Sequence, residues 1–222
     1  VSLVSQDEDW LEIEPELRPP RIDNPATRYG VWWHDFAQRI PWLKQPADWD
    51  EAFAAHHPSS PDLARATREW RILRERVREL SDLTGWSSRT PIVRAELPFF
   101  WKMRDDRSLE GVIDLALFDP DAAKWLIIDW KTNRIARGKL ELLRALYLPQ
   151  LAAYCHAIKQ ITAHEVCAAL YSTATGEFVR YEAQEMVAEW ERLEKLPSEK
   201  LFTELSNELT MPNESRPSNV LI

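Results

Sequence analysis

Asp114, Asp129 and Lys131 are charged residues inside a stretch, 109–133, that is otherwise rich in Val, Ile, Leu, Phe and Trp. Asp129 and Lys131 stand two positions apart, so both side chains point to the same face if this part of the chain forms a strand. Carboxylate oxygens are the ligands that Mg²⁺ and Mn²⁺ prefer. A divalent cation beside a lysine can activate water and stabilise developing negative charge. The three residues therefore mark a candidate metal-dependent site.

The apolar stretch predicts a hairpin of two strands, residues 109–118 and 124–131. The turn residues between them are Asp119, Pro120 and Asp121. In antiparallel pairing around this turn, the numbers of facing residues sum to about 243, which places Asp114 opposite Asp129. Facing carboxylates repel each other, and Lys131 carries one positive charge against two negative ones, so we expect a divalent cation between them. The alternative is an exposed hairpin with ordinary surface charges, but both strands are too apolar on both faces to favour it.

A helix near the start of the chain carries Gly30-x-x-x-His34, and we expect Thr27 to cap it. Its apolar stripe recurs at three- and four-residue steps: Trp33, Phe36, Ala37 and Ile40. An imidazole beside two carboxylates suits Mn²⁺ and is tolerated by Mg²⁺. The alternative to a metal-binding role for His34 is a partly buried histidine that forms a hydrogen bond with a backbone carbonyl.

Two further elements carry polar candidates. A strand at 91–101 contains Glu96, and a helix from about 141 to 161 places Tyr147, Gln150 and Tyr154 on successive turns of one side. The amide and the phenols can face a phosphate or an attacking water. Taken alone, a glutamate in a strand is more often an edge charge, and glutamine and tyrosine on a half-buried helix face are more often structural.

In their order and spacing these residues resemble the RecB-family nuclease domain of the PD-(D/E)xK superfamily, found at the C-terminus of RecB and AddA helicase–nucleases. The resemblance covers roughly residues 28–171. It is carried by three motifs: Gly111-x-x-Asp114, Asp129-Trp130-Lys131-Thr132 and Tyr147-x-x-Gln150-Leu-x-x-Tyr154. It implies an α/β fold with a central mixed β-sheet flanked by helices, of the restriction-endonuclease type.

The resemblance also implies roles for individual residues. Catalysis is expected from Asp114, Asp129, Lys131, Gln150 and Tyr147. One Mg²⁺ or Mn²⁺ is expected on His34, Asp114, Asp129 and the backbone carbonyl of Trp130. Glu96 and Tyr154 are expected near the metal, Glu96 directly or through water. We expect this site to be open at the surface, so that replacing Asp129 or Lys131 abolishes cleavage and leaves the fold largely intact.

The implied function is a Mg²⁺- or Mn²⁺-dependent deoxyribonuclease: an exonuclease, with endonuclease activity also conceivable, that serves a RecB/AddA-like helicase–nuclease in double-strand-break processing. The expected DNA contacts are Thr132, Arg134, Arg137 and Lys139, although these charges also fit a solvated connection. Implied partners are DNA, an upstream UvrD-like helicase domain and a second subunit. The alternative is a non-catalytic DNA-binding or subunit-docking module that uses the eleven tryptophans as an interaction surface.

The net charge of −8 argues at first against a nucleic-acid partner. The acidity, however, sits at the two ends: residues 1–24 hold seven acids and two arginines, and residues 182–222 hold nine acids and four bases. The middle, 25–181, carries 22 bases against 20 acids. The part of the chain with the motifs is therefore mildly basic, which removes the objection.

Composition and patterning give the predicted organisation. Residues 1–26 are an acidic, proline-containing lead-in or linker, 27–181 are the nuclease core, and 182–222 are an acidic helical extension with a disordered tail past Pro212. Within the core, an Arg-rich helix at 62–80 is capped by Asp62. Its expected core face is Leu63, Ala66, Trp70, Leu73, Val77 and Leu80. Its arginines are Arg65, Arg68, Arg71, Arg74, Arg76 and Arg78, which fit either a solvated helix face or phosphate contacts.

Cysteine count and hydropathy bound the remaining possibilities. Two cysteines favour a reducing cytoplasm and exclude an iron–sulfur cluster held by this chain alone, which needs four cysteine ligands. No apolar run is long enough to span a bilayer, so no membrane partner is expected. Neither a Gly-rich phosphate loop nor a dinucleotide-binding motif is present, so this segment is not itself a nucleotide-driven motor.

Overall fold

The protein is described by a computed structural model that covers residues 2–5, 24–44, 46–76, 91–103 and 107–205. A mixed six-stranded sheet lies between helices, which confirms the predicted fold class. The strands are β1 Ser2–Ser5, β2 Ile92–Lys102, β3 Arg107–Asp119, β4 Lys124–Lys131, β5 Glu165–Ser172 and β6 Glu177–Arg180. The helices are α1 Pro25–Ala37, α2 Pro46–His56, α3 Leu63–Arg76, α4 Leu140–Thr162, α5 Ala183–Leu193 and α6 Ser198–Leu205.

The long strand β3 organises the sheet. On one edge it pairs antiparallel with β2 from Phe118 back to Ser108. On the other edge it pairs first with β1, through residues 107–110, and then with β4, through residues 115–119. Among the described residues, neither β1 nor β4 pairs with positions 111–114, so the sheet is notched there, and Asp114 lies in the notch. The sheet then continues through a parallel β4–β5 pair and an antiparallel β5–β6 pair.

The predicted hairpin is confirmed in both extent and register. The paired residues run from Leu115 opposite Ile128 to Asp119 opposite Lys124, so the residue numbers sum as expected. Asp119 Oδ1 accepts the backbone N–H groups of Asp121 and Ala122 at 2.9 and 3.2 Å, which stabilises the turn. Six of the eight residues of β4 are buried, which rules out the alternative of a half-exposed hairpin.

Two apolar layers hold the helices on opposite faces of the sheet. On one face, α1 and α3 pack onto β4 and β5 through Tyr29, Trp33, Phe36, Leu73 and Trp130. On the other face, α4, α5 and α6 pack through a second set of buried side chains that includes Leu143, Leu151, Ile158, Trp190 and Leu201. Each such side chain contributes about 1.5–3 kcal/mol on burial, so the helices that carry the polar candidates are firmly placed against the strands.

Helix α1 begins earlier than predicted, and its cap is a different residue. Asn24 has an extended backbone and accepts the N–H of Thr27 at 2.9 Å, so Asn24 is the N-cap and Thr27 lies inside the first turn. Pro25 suits the first helical position because the missing N–H has no partner there. The apolar stripe is confirmed, since Trp33, Phe36, Ala37 and Ile40 are all buried.

Helix α3 is confirmed over Leu63–Arg76, with Asp62 Oδ1 accepting the N–H of Arg65 at 3.0 Å as the expected cap. Ala66, Trp70 and Leu73 are buried as predicted, but Leu63 is 49% exposed because it lies in the first turn, ahead of the part that packs on the core. The rest of the predicted helix, residues 77–80 with Val77, Arg78 and Leu80, lies outside the described residues.

Toward the ends of the chain, the structure covers part of what the sequence predicts. Ser2–Ser5, within the predicted lead-in, form a strand on β3, and residues 6–23 lie outside the described part. Helices α5 and α6 contribute Trp190, Leu193, Leu201 and Leu205 to the core, and the predicted disordered tail again lies outside. Among the described helices, none combines the length and apolar character needed to cross a membrane.

Candidate active site

Three side chains from three elements converge at the notch in the sheet. His34 from α1 places Nδ1 3.3 Å from Asp114 Oδ1 of β3 and 3.9 Å from Glu96 Oε1 of β2. One ligand atom from each residue lies within 4.8 Å of the other two. One imidazole nitrogen and two carboxylates fit a hard divalent cation of the Mn²⁺ or Mg²⁺ type.

The backbone at Glu96 is unusual and orients its side chain. Glu96 has a φ of 49°, in the left-handed region that non-glycine residues rarely adopt. The β2–β3 ladder pairs Ala95 with Leu115 and Leu97 with Ile113 but skips Glu96 and Asp114.

The apolar neighbours of these two residues change sides at the same point. Ala95 and Leu115 pack in the α1–α3 layer, whereas Leu97 and Ile113 pack in the α4 layer. In a regular strand, residues two positions apart, such as Ala95 and Leu97, lie on the same face. The side chains of both strands therefore change faces at Glu96 and Asp114. The left-handed backbone of Glu96, which accompanies this change, costs of order 1–3 kcal/mol.

Asp114 takes the place of a missing backbone contact between β3 and β4. Its Oδ2 accepts the N–H of Trp130 at 2.7 Å, two residues beyond Ile128, where the β3–β4 ladder ends. Its Oδ1 faces His34. One oxygen thus fixes the side chain to the sheet, and the other faces the cluster.

Asp129 and Lys131 form a buried ion pair beside this cluster. Lys131 Nζ lies 2.9 Å from Asp129 Oδ2, and the side chains are 6% and 5% exposed. Helix α4 covers them. Lys131 Nζ lies 3.9 Å from the centre of the Tyr147 ring and 3.5 Å from Gln150 Oε1, and the Gln150 amide donates to the Tyr154 hydroxyl at 3.1 Å.

This arrangement changes the expected electrostatics in one respect. Lys131 neutralises Asp129, while Asp114 faces His34 and Glu96, so the two carboxylates, which the β3–β4 ladder does not pair, have separate partners. The expectation of a site fully open at the surface is wrong for Asp129 and Lys131, because α4 packs over that face. His34 and Glu96 remain about one-third exposed, at 34% and 33%, so the cluster is reached from their side.

The electrostatics of His34 shows what the cluster attracts. Burial alone lowers the pKa of the imidazole, but the charge of Asp114 and hydrogen bonds to Asp114 and Glu96 outweigh burial and raise the pKa to about 10. The two carboxylates therefore stabilise positive charge at this position. On α4, burial raises the pKa of Tyr154 above its usual value, so its hydroxyl stays neutral.

Sequence reasoning placed Glu96 near the metal; the structure brings it within ligand distance of His34 and Asp114. Its signal in the sequence was slight: Glu96 is the one acidic residue in β2. Asp129, expected among the ligands, lies outside that group of three and faces Lys131 instead.

The residues expected to contact DNA follow β4 but do not form one cluster. Arg134 pairs with Asp62 of α3 at 3.1 Å, and Arg137 pairs with Glu177 of β6 at 3.1 Å. Lys139 is exposed in a single turn of 3₁₀ helix. The side chain of Thr132 faces Gly30 of α1, and a Cβ added to that glycine would stand 3.2 Å from Thr132 Oγ1.

A buried polar network behind the site was missed as such by sequence reasoning. Arg65 Nε donates to Glu69 Oε1 at 2.7 Å, Tyr29 donates to Glu69 Oε2 at 3.0 Å, and Arg65 donates to the Thr132 carbonyl at 2.5 Å. Arg65 and Glu69 are 3% and 0% exposed, so the Arg65 guanidinium is neither solvated nor one of the cations that a phosphate contacts directly. The available signal was the four-residue spacing of Arg65 and Glu69, which fits an ion pair on one helix side.

The sequence profile of the PD-(D/E)XK nuclease superfamily matches residues 11–217. The chain belongs to this superfamily. The match extends beyond the 28–171 region of the motif resemblance at both ends. The tripeptide Asp129-Trp130-Lys131 has the form (D/E)XK that the superfamily description contains.

No curated protein matches the chain in sequence. Among solved structures, it is similar to a protein from Eubacterium rectale described as a "putative exonuclease". The identity is 12% and the TM-score 0.49, over 87% of this chain and 72% of that one.

Proposed function

We propose that this chain is a Mg²⁺- or Mn²⁺-dependent deoxyribonuclease, and that it serves as the exonuclease domain of a RecB/AddA-like helicase–nuclease in double-strand-break processing. The observation that carries the proposal is the convergence of His34, Glu96 and Asp114 beside the buried Asp129–Lys131 pair. Superfamily membership supports nuclease chemistry in general. The helicase context rests on the motif resemblance, and so do a UvrD-like domain and a second subunit as partners.

The ligand set that we propose consists of His34, Glu96 and Asp114, with Asp129 and the Trp130 carbonyl. A bound divalent cation supplies Lewis acidity there, polarising a phosphodiester and lowering the pKa of water. The donor set fits such a cation because it contains carboxylate oxygens and one imidazole.

The remaining residues of the site act on water and phosphate directly. Lys131 lies among Asp129, the Tyr147 ring and the Gln150 amide, so its ammonium is held in one place and can stabilise negative charge on phosphoryl oxygens. Gln150 is fixed by Tyr154 and can orient the attacking water.

No observation favours the alternative of a non-catalytic docking module. That alternative needs tryptophans at the surface. All nine tryptophans within the described residues are buried or half-buried, so none of these nine offers an exposed stacking or docking surface.

The test compares end-labelled single- and double-stranded DNA in Mg²⁺ for wild type, Asp114→Ala and Asp121→Ala. Asp121 is a matched control, because it is an exposed aspartate in the turn of the same hairpin. We expect cleavage by wild type and Asp121→Ala, none by Asp114→Ala, and none by any of the three in EDTA. Release of label as short products identifies an exonuclease, and cleavage of circular DNA adds an endonuclease. DNA binding by the wild type without metal-dependent cleavage would overturn the proposal.

A further inference from the structure

We propose that a groove between α3 and the segment after β4 is a phosphate-binding subsite. It holds a backbone phosphate that lies next to the scissile phosphate in the same DNA strand. The charged residues that line this α3 groove are Asp62, Arg65, Arg68, Glu69 and Arg134, and its volume is about 410 Å³. The inference rests on the proposed nuclease function and adds a surface that binds the DNA strand.

The position of the groove connects it to the site. Arg65, in the groove wall, donates to the carbonyl of Thr132, and Thr132 directly follows Lys131. The groove and the candidate catalytic lysine are therefore joined through one residue of backbone. In the proposed arrangement, a strand whose scissile phosphate meets Lys131 places a neighbouring phosphate at this wall.

The charges of the groove favour an anion. The charge of Arg65 is matched by buried Glu69, which leaves Arg68 and Arg134 as the exposed cations, with side chains 55% and 73% exposed. Arg68 Nη2 lies 3.9 Å from the Glu69 carboxylate, too far for a hydrogen bond. A planar guanidinium binds phosphate oxygens with two parallel hydrogen bonds, a geometry that lysine does not provide.

The negative charge of Asp62 disfavours a bound anion, but Asp62 also positions Arg134 in the groove. Its Oδ1 caps α3 by accepting the N–H of Arg65, and its Oδ2 accepts from Arg134 at 3.1 Å. Arg134 is thereby directed toward α3, although most of its side chain remains exposed. A phosphate that binds both Arg68 and Arg134 takes over the contact that Asp62 makes in the free protein.

The test measures binding of a fluorescent single-stranded oligonucleotide by anisotropy, in EDTA so that no cleavage occurs, over a range of salt concentrations. The variants are Arg68→Ala and Arg134→Ala. The matched control is Arg71→Ala, because Arg71 is also exposed on α3 but lines a different surface groove. Unfolding midpoints verify that each variant is folded.

Loss of one phosphate contact lowers the slope of log K against log salt concentration by about 0.7 for a single strand. We expect this change, and about tenfold weaker binding, for Arg68→Ala and for Arg134→Ala, but not for Arg71→Ala. Replacing single linkages by neutral methylphosphonate then locates the phosphate. At the linkage that Arg68 contacts, the methylphosphonate and Arg68→Ala remove the same contact. Their combined loss of binding free energy should therefore be smaller than the sum of the two separate losses.

Each outcome separates this subsite from the proposed function. If Arg68→Ala behaves like Arg71→Ala while wild type cleaves DNA, the subsite is wrong and the nuclease function stands. If the slope falls as expected but no Mg²⁺-dependent cleavage is found, the subsite stands and the function is wrong. Wild-type protein that binds no DNA contradicts both.

Discussion

Two buried ion pairs, joined by one residue of backbone, have different surroundings. Arg65–Glu69 in α3 is enclosed: Tyr29 and the Thr132 carbonyl provide further hydrogen bonds, and neither charged side chain is more than 4% exposed. Asp129–Lys131 is nearly as buried, but it borders the half-open cluster of His34, Glu96 and Asp114. Around Lys131, the ring of Tyr147 and the Gln150 amide at 3.5 Å are neutral partners.

On the proposed function, a buried charge acts structurally at the enclosed pair and chemically at the pair beside the opening. A buried pair with complete hydrogen bonding mainly fixes geometry, since breaking it leaves an uncompensated charge. A buried pair next to an opening keeps a charge in low dielectric, where its effect on a substrate charge is larger than in water. Burial alone does not separate the two cases; the neighbouring groups do.

The largest expected effect is at the pair beside the opening. We expect Lys131→Met, and likewise Asp129→Asn, to lower the cleavage rate at least about 10³-fold, because each removes a charge aimed at the reacting phosphate or the metal. In contrast to the expectation from sequence, we also expect each to destabilise the fold by about 3–5 kcal/mol, because the opposite charge of this ion pair is removed while the partner stays buried. Cleavage rates and urea unfolding measure the two effects.

The double variant Asp129→Asn/Lys131→Met is the control for that prediction. It removes both charges and should regain most of the lost stability without regaining cleavage. A double variant that cleaves at the wild-type rate would show that this pair is as structural as the other.

A smaller effect on cleavage, but a comparable one on stability, is expected at the enclosed pair. Glu69→Gln leaves Arg65 buried without its carboxylate and should lower the free energy of unfolding by about 3–5 kcal/mol. The double variant Arg65→Met/Glu69→Leu should regain most of this loss. Below the unfolding transition, both variants should cleave DNA within severalfold of wild type. A loss as large as that of Lys131→Met would contradict the contrast drawn between the two pairs.

The smallest effect concerns the ring over Lys131. Tyr147→Phe keeps the ring 3.9 Å from Nζ and removes the hydroxyl, whose contact to Asn133 is long at 3.4 Å, so cleavage should stay within about threefold. Tyr147→Leu removes the ring and should cost about 1–2 kcal/mol, or about tenfold in rate, through the lost cation–π contact. Equal losses in both variants would instead assign the phenol a direct role at the phosphate.

Local patterning was enough to predict the elements of the site. The hairpin register, the extent of α4 and the position of His34 on a packed helix follow from strand alternation, turn residues and helical spacing, which depend on near neighbours in sequence. The cap of α1 was misplaced by three residues because Thr27 and Asn24 are both good capping residues, and only the backbone at Pro25 decides between them.

Contacts between distant elements could not be predicted in the same way. The place of Glu96 depends on a left-handed backbone that no residue type at that position indicates. The burial of Arg65 depends on Tyr29 and on the Thr132 carbonyl, 67 residues away in sequence. The cover over Asp129 and Lys131 depends on how α4 crosses the sheet, which the spacing within either element does not specify.

The left-handed backbone at Glu96 implies a conflict between stability and activity. Glycine adopts this backbone conformation without the penalty of a Cβ, so selection for stability alone would favour glycine there. A glycine, however, would supply no carboxylate to the cluster at the notch. With the proposed metal role of Glu96, this glutamate is a position where folding and chemistry make opposite demands on one residue.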